Sequence, residues 1–236
     1  MQNTMQCVIK AAPGEGNLEL VERPIPKIGP NDVLIKVHAM AVCGTDVHIM
    51  MWNPFASTRM KPPMIIGHEF SGEVVEKGEL VSQINIGDAV SGETHIVCNT
   101  CETCHNGNQH VCPHTKVIGL SRDGALAEYI SIPAENAIVF KKFANWEQLS
   151  LMEPFVASVH AATQFDLVGK SVAVIGCGPI GAMGIGVAKY AGAARIVAIE
   201  PVASRGQKGL DMGADVLIDP IKNDVATAVP AANNGE

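Results

Sequence analysis

Aromatic side chains are scarce in this 236-residue chain: two Trp, two Tyr and six Phe, 4% of the sequence. Any core must therefore be mostly aliphatic. Positive charge is also in deficit, with 17 Lys and Arg against 24 Asp and Glu, a formal net charge of −7. That balance argues against nucleic acid or an anionic membrane as a main partner. No run of about 18 apolar residues exists, which argues against a transmembrane helix. The opening stretch Met1-Gln-Asn-Thr-Met-Gln-Cys-Val8 carries neither a basic segment nor an apolar one. The expectation is a chain without a secretory leader, in the reducing cytoplasm. What remains is 47% hydrophobic residues, an ordinary globular composition, enough for one large core or two modest ones.

Cysteine is concentrated rather than absent. Cys98, Cys101, Cys104 and Cys112 fall within one short stretch. Four thiols so spaced can close around one tetrahedral Zn²⁺, each at about 2.3 Å, and they leave no open coordination position. Disulfides are the alternative, but in a chain without a leader short-spaced thiols read as metal ligands. The site is expected to be structural, so the chemistry lies elsewhere.

Residues 5 to about 160 read as short strands broken by Gly and Pro, including Val33–Ala39, Phe70–Glu76, Ile86–Gly92 and Ala125–Pro133. Many short strands at this spacing predict a partly open antiparallel barrel. From Trp146 to Ala162 the spacing is helical. Strand and helix then alternate: strands at Val172–Ile175, Arg195–Ile199 and Val216–Ile218, with helices at Pro179–Ala191 and Ser204–Met212. This βαβαβ order predicts a parallel sheet with right-handed crossovers. It supplies the first half of a doubly wound dinucleotide fold, which uses roughly six strands. Gly206 and Gly209, inside the second predicted helix, are each expected to weaken it by about 1 kcal/mol relative to Ala. The third strand is expected to present an apolar edge.

Gly176-Cys-Gly178-Pro-Ile-Gly181 follows a strand and opens a helix. In that context Gly176 permits the tight turn, Gly178 the approach of a pyrophosphate, and Gly181 close helix–strand packing. Glu200 ends the second strand, where a carboxylate accepts a ribose hydroxyl and repels a 2′-phosphate. NAD is thus expected over NADP. A glycine-rich turn in some other α/β protein is the plain alternative.

Borderline and soft ligands gather at Cys43-Gly-Thr45-Asp-Val-His48 and at Gly67-His68-Glu69. A catalytic zinc takes about three protein ligands and one open position. Cys43 and His68 are the natural first two, and Glu69 or Glu153 the third. Singly, each of these residues also reads as a structural core residue.

In this order, Cys43-Gly-Thr-Asp-x-His48, Gly67-His-Glu-x-x-Gly72, the four-cysteine lobe and Gly176-x-Gly-Pro-Ile-Gly181 resemble the zinc-dependent medium-chain alcohol dehydrogenases. Within them, Cys43–Trp52 and Ser91-Gly-Glu-Thr-His95 resemble the threonine-oxidising group, with Thr94 and Val156 standing where Gly is usual. The resemblance implies α/β plus β architecture: a GroES-like partly open β-barrel domain over residues 1–160, then a truncated Rossmann domain (doubly wound parallel sheet) over 161–236. It implies one catalytic and one structural Zn²⁺ and NAD as cofactors. The partner is a small-molecule alcohol, with no nucleic acid and no membrane, in a homo-oligomer, by resemblance a tetramer. Thr45 and His48 would relay the alcohol proton, Glu69 would be an exchangeable zinc ligand, and Glu153 would support the site. Ile180, Glu200 and Arg205 match cofactor-contacting positions. Glu93 and His95 are candidates for contact with an amino-acid substrate. The expected reaction is oxidation of a secondary alcohol, L-threonine to 2-amino-3-oxobutanoate. A polyol dehydrogenase and a non-catalytic zinc-binding fragment are the rivals. Residues 1–236 alone are expected to bind zinc, to bind NAD weakly and to turn over slowly.

Overall fold

The structure, a computed structural model, describes residues 3–142 and 145–233. Met1 and Gln2, the first two positions of the stretch read for a leader, lie outside the described residues. Packing divides the chain into two units, Met1–Glu153 and Pro154–Glu236.

The first unit is antiparallel. β1 (Thr4–Lys10) pairs with β2 (Leu18–Pro24) and with the short β4 (Met64–Ile65). A five-stranded sheet is built from β3 (Asp32–Ala41), β5 (Glu69–Lys77), β6 (Ala89–Gly92), β9 (Tyr129–Pro133) and β10 (Ala137–Val139), in the order β10-β6-β5-β3-β9. That order leaves two edges, so the barrel is open. Register shifts between Leu34 and Ile35 and between Val37 and Ala39 bulge β3, the device that bends and twists a strand. β7 (His95–Ile96) and β8 (Lys116–Val117) form a separate two-stranded ladder. Inside the curl sit Val33, Ile35, Phe70, Val74, Val90, Ile118, Ile130 and Ile132. Among the described residues Phe70 is the only buried aromatic, as the composition required; full burial of such a ring contributes about 2–3 kcal/mol.

Among the described residues, five α-helices accompany these strands: α1 (Gly44–Met51), α2 (Pro54–Ser57), α3 (Glu102–His105), α4 (Trp146–Leu149) and α5 (Met152–Thr163), the last crossing the unit boundary. The helical run expected over 146–162 is thus two helices, and Pro154 sits in the first turn of α5, where its missing N–H costs nothing.

Lys10 is fully buried. Its ammonium donates to the carbonyls of Gly14, Gly16 (2.6 Å) and Met50 (3.5 Å) and lies 5.1 Å from the Trp52 ring centroid. A cation at the last carbonyls of α1 complements the negative end of the helix dipole and pins the helix that carries Thr45 and His48.

In the second unit β11 (Ser171–Ile175), β12 (Arg195–Ile199) and β13 (Val216–Ile218) form a parallel sheet in the order β11-β12-β13. α6 (Pro179–Tyr190), α7 (Ala203–Asp211) and α8 (Val225–Ala232) accompany it. One expectation needs correction and another is refined. Gly206 and Gly209 are not simple weak points, because a Cβ on Gly206 would lie 2.5 Å from Leu217 Cδ2 and one on Gly209 2.8 Å from Cys177 Sγ; an alanine at either position forces a neighbour to shift. β13 is an edge strand of this sheet, as expected, but its side chains are not bare: Val225, Ala228, Val229 and Ala232 of α8 pack against Ile218 and the neighbouring Ile199. In this sheet the large exposed apolar residue is Ile175 of the other edge strand, β11, at 84%.

Candidate active site and metal centres

The four lobe thiols lie within 4.8 Å of one another. Individual separations are 3.5 Å for Cys101–Cys104, 3.6 Å for Cys98–Cys112, and 3.9 Å for Cys98–Cys104 and Cys101–Cys112. A tetrahedron with bonds of about 2.3 Å has edges of about 3.8 Å, whereas a disulfide needs about 2.05 Å. All seven cysteines are free, and the lobe fits zinc. Local fields divide the thiols: backbone hydrogen bonding at Thr100 brings Cys98 down to about 5. Burial, with hydrogen bonds to Cys101 and Cys112, pushes Cys104 up to about 12. A bound dication removes that conflict by favouring all four thiolates.

The second cluster joins two separated segments. Cys43 is the N-cap of α1, and its backbone N–H donates to Asp46 Oδ2 at 2.9 Å. His68 leads into β5 and Glu69 opens it, directly after Gly67, which has φ +89° and no space for a side chain: a Cβ would lie 2.6 Å from Met40 Sδ and 3.1 Å from the Leu126 nitrogen. The tight corner drives His68 and Glu69 inward, each 6% exposed. The ligand atoms of Cys43, His68 and Glu69 lie within 4.8 Å of one another. Of the two carboxylates left open by the sequence, Glu69 shares that cluster and Glu153 contributes charge to it. Burial raises Glu153 above the usual carboxylate range against the pull of His68, with Glu69 and Glu93 adding to the rise. For His68 burial works against charging, but the hydrogen bond with Cys43 and the charges of Asp46, Cys43 and Glu153 outweigh it and raise the imidazole.

Asp46 is the residue that sequence reasoning missed. It is 6% exposed, and its Oδ1 has no hydrogen-bond partner. A buried carboxylate with an orphaned oxygen is costly without compensating positive charge nearby, which a cation on Cys43, His68 and Glu69 would provide. The donor set of one thiol, one imidazole and one carboxylate suits zinc. A signal for Asp46 was present, since an acid three residues after an N-cap reaches back to the cap's N–H.

Thr45 and His48 lie three residues apart on α1, hence on one side of it. The exposed His48 ring is held by Asn53, with Nδ2 2.8 Å from Nδ1. Glu93 Oε1 takes the His95 backbone N–H and lies 2.8 Å from its ring Nδ1. Hydrogen bonding to Glu93 raises His95 despite burial, and Glu153 adds to the rise. His95 and Glu93 therefore belong to the same electrostatic neighbourhood as His68 and Glu153.

In the second unit Gly176 adopts φ +90° and donates to the Ile199 carbonyl at 2.8 Å. Gly178 is the N-cap of α6. A Cβ on Gly181 would lie 1.8 Å from the Gly176 oxygen, so the turn and helix touch. Ser158 Oγ donates to the Ile180 carbonyl at 2.8 Å, and the Ile180 side chain is left partly exposed at 47%. Glu200 is 5% exposed and accepts the Cys177 N–H at 2.8 Å and the Val202 N–H at 2.9 Å. Those two bonds hold its carboxyl below the usual range, with help from Arg205. Each oxygen keeps a further lone pair for a ribose hydroxyl.

Residues 29–142 match the alcohol dehydrogenase GroES-like domain. An L-threonine 3-dehydrogenase of Caldanaerobacter subterraneus subsp. tengcongensis is 48% identical over 235 residues, covering 100% of this chain and 67% of that protein. The chain belongs to the zinc-dependent medium-chain alcohol dehydrogenases. It spans about two thirds of the length of the relatives it matches. A protein of Sinorhizobium meliloti 1021, solved bound to NADP, superposes with a TM-score of 0.89 at 32% identity, covering 96% of this chain and 65% of that one. An alcohol dehydrogenase of Escherichia coli CFT073, solved with NADH, gives 0.86 at 27% identity, covering 99% and 67%. The architecture is that of the family: a GroES-like antiparallel half-barrel followed by the Rossmann-type parallel sheet. Zinc and a nicotinamide dinucleotide are the family's cofactors. Among the described residues no helix is long and apolar enough to cross a membrane.

Proposed function

We propose that the chain oxidises the β-hydroxyl of L-threonine to 2-amino-3-oxobutanoate with NAD⁺, and that Cys43, His68 and Glu69 hold the catalytic zinc with Glu153 beside them. The observation that carries this reading is the convergence of those three ligand atoms within 4.8 Å in a chain whose relative bears the threonine dehydrogenase name. When bound, zinc supplies Lewis acidity that lowers the pKa of the substrate hydroxyl, and NAD⁺ accepts the hydride. Thr45 Oγ would accept the hydroxyl proton while handing its own on toward His48, and the imidazole, exposed on the same helix, would release it to solvent. Glu93 and Glu153 offer carboxylates to the substrate ammonium, and the Glu93–His95 pair keeps one of them oriented. Gly176, Gly178 and Gly181 admit the pyrophosphate, Ile180 and Arg205 flank the cofactor, and Glu200 receives the ribose. Residues 1–160 form the catalytic domain and 161–236 the cofactor-binding part. The protein works in the cytoplasm, a reading that its free thiols support, and as a homo-oligomer, a reading that rests on the family resemblance alone.

The test is a substrate panel with added Zn²⁺ and NAD⁺. NADH formation from L-threonine is expected to exceed that from sorbitol or a simple secondary alcohol by about tenfold or more; the ratio decides, not the absolute rate. A preference for the polyol overturns the substrate assignment. Zinc binding without turnover of any alcohol leaves only a zinc-binding fragment.

Glu200→Ala is expected to act twice. Losing the ribose acceptor and the repulsion of a 2′-phosphate shifts preference toward NADP⁺. Losing the anchor of two backbone N–H groups also weakens both cofactors, by roughly tenfold. Fluorescence titration with NADH and NADPH separates the two effects, and an unchanged affinity ratio would place Glu200 away from the ribose.

A further inference from the structure

The inner side of the glycine-rich turn is closed by a contact with α7 that lies outside the glycine motif itself. Cys177 is 2% exposed and clusters with Ile185, Ala188, Ile196 and Ala198. Its Sγ lies 2.8 Å from where a Cβ on Gly209 of α7 would stand; the next atoms there are Ile185 Cδ1 at 3.3 Å and Ala198 Cβ at 3.5 Å. The backbone N–H of the same Cys177 donates to Glu200 Oε2, while Glu200 Oε1 takes the N–H of Val202, the N-cap of α7. Turn, carboxylate and helix thus form a ring. Glu200 joins the turn to the start of α7, and the missing side chain of Gly209 lets the turn seat against the middle of that helix.

We propose that Gly209 is a positioning residue for the dinucleotide turn: its bare face sets how deeply Cys177 seats and so aims the Cys177 N–H at the Glu200 carboxylate. The inference rests on the reading that this turn binds NAD. In an exposed helix interior Gly→Ala stabilises; here the added methyl and the sulfur compete for one volume. Sulfur is attached to the turn, so the turn gives way. Gly206 provides the contrast. Its neighbour within α7's packing is the flexible end of Leu217 rather than Cys177, so an alanine there strains the helix without touching the turn.

The test uses four variants: Gly209→Ala, Gly206→Ala, Cys177→Ala and the double variant Cys177→Ala/Gly209→Ala. Amide hydrogen exchange at Cys177 and Val202 is the direct readout, because both amides are tied to Glu200. In Gly209→Ala these amides are expected to exchange roughly tenfold faster than in Gly206→Ala, and NADH affinity to fall in the same order. Removing the sulfur in the double variant should restore both, a rescue that general loss of stability does not give. Parental protection in Gly209→Ala, or a double variant no better than the single one, overturns the proposal. Should the exchange pattern hold while even the parent fails to bind NADH, the ring stands and the cofactor reading falls.

Discussion

Cys101→Ser is expected to lower zinc content by about one equivalent and to release the cysteine lobe as ordered structure. The lobe has little else to hold it. Between Cys98 and Cys112 there is only the four-residue α3 and a single turn of 3-10 helix at Gln109–Val111, with Val111 61% exposed. Cys104 and Cys112 are the only buried residues of that stretch. Outside the thiols, Asn99 ties it to Glu135 through hydrogen bonds of 2.8 and 3.0 Å. A structural zinc in a comparable small site is worth about 10–16 kcal/mol at neutral pH, and that binding energy is folding energy. The aliphatic barrel core around Phe70 and Val74 lies outside the lobe, so the damage should stay local. Metal analysis with limited proteolysis across 98–112 checks this, and full zinc occupancy in the variant would sink the assignment of the lobe.

Gly181→Ala is expected to reduce NADH binding by roughly one to two orders of magnitude, the cost of about 1–3 kcal/mol for pyrophosphate contacts left unmade. The clash is between backbone atoms, 1.8 Å from the new Cβ to the Gly176 oxygen, so no rotamer relieves it. α6 has to move off the turn and takes its N-terminal N–H groups with it. Gly184, one turn further along the same helix, has nothing within 4 Å of a built Cβ. Gly184→Ala should therefore bind NADH normally and gain up to about 1 kcal/mol of stability. Fluorescence titration and thermal melts on the pair give the answer. If both variants bind alike, the turn does not approach the cofactor as described.

The second unit was the more legible half. Strands at 172–175, 195–199 and 216–218 stand in the sequence almost as they stand in the fold, because parallel strands of such a sheet are short apolar runs bounded by turns; the pattern holds even for β11, which carries no buried residue. The barrel blurred its own ends. The stretch from Ile86 loses its first three residues to a turn at Gly87, φ +92°. Ala125 and Leu126 spend their N–H groups on Gly67 and Ile66 rather than on the β9 ladder. α8 went unread although Val225, Ala228, Val229 and Ala232 keep helical spacing; Pro230 inside it argues against a helix by local rules, and packing on Ile218 overrides that. Among the ligands, cysteine spacing reveals the lobe in one dimension. The choice between Glu69 and Glu153 is a matter of three-dimensional distance, which adjacency to His68 cannot decide. Lys10 was hidden for a related reason, since a lysine in a strand reads as solvent-facing.

Amine-directed reagents will not treat the lysines of this protein alike. Burial lowers the pKa of Lys10, which taken alone makes an amine a better nucleophile at neutral pH. Reaction also needs a free lone pair and a path for the electrophile, and Lys10 has neither: it is 0% exposed, with its protons given to three carbonyls. Acylation at position 10 has to wait for the Gly14–Gly16 loop to lift away from the end of α1. The modified fraction at that one residue would then count openings of the helix that carries Thr45 and His48, a clock for local unfolding already present in the natural sequence.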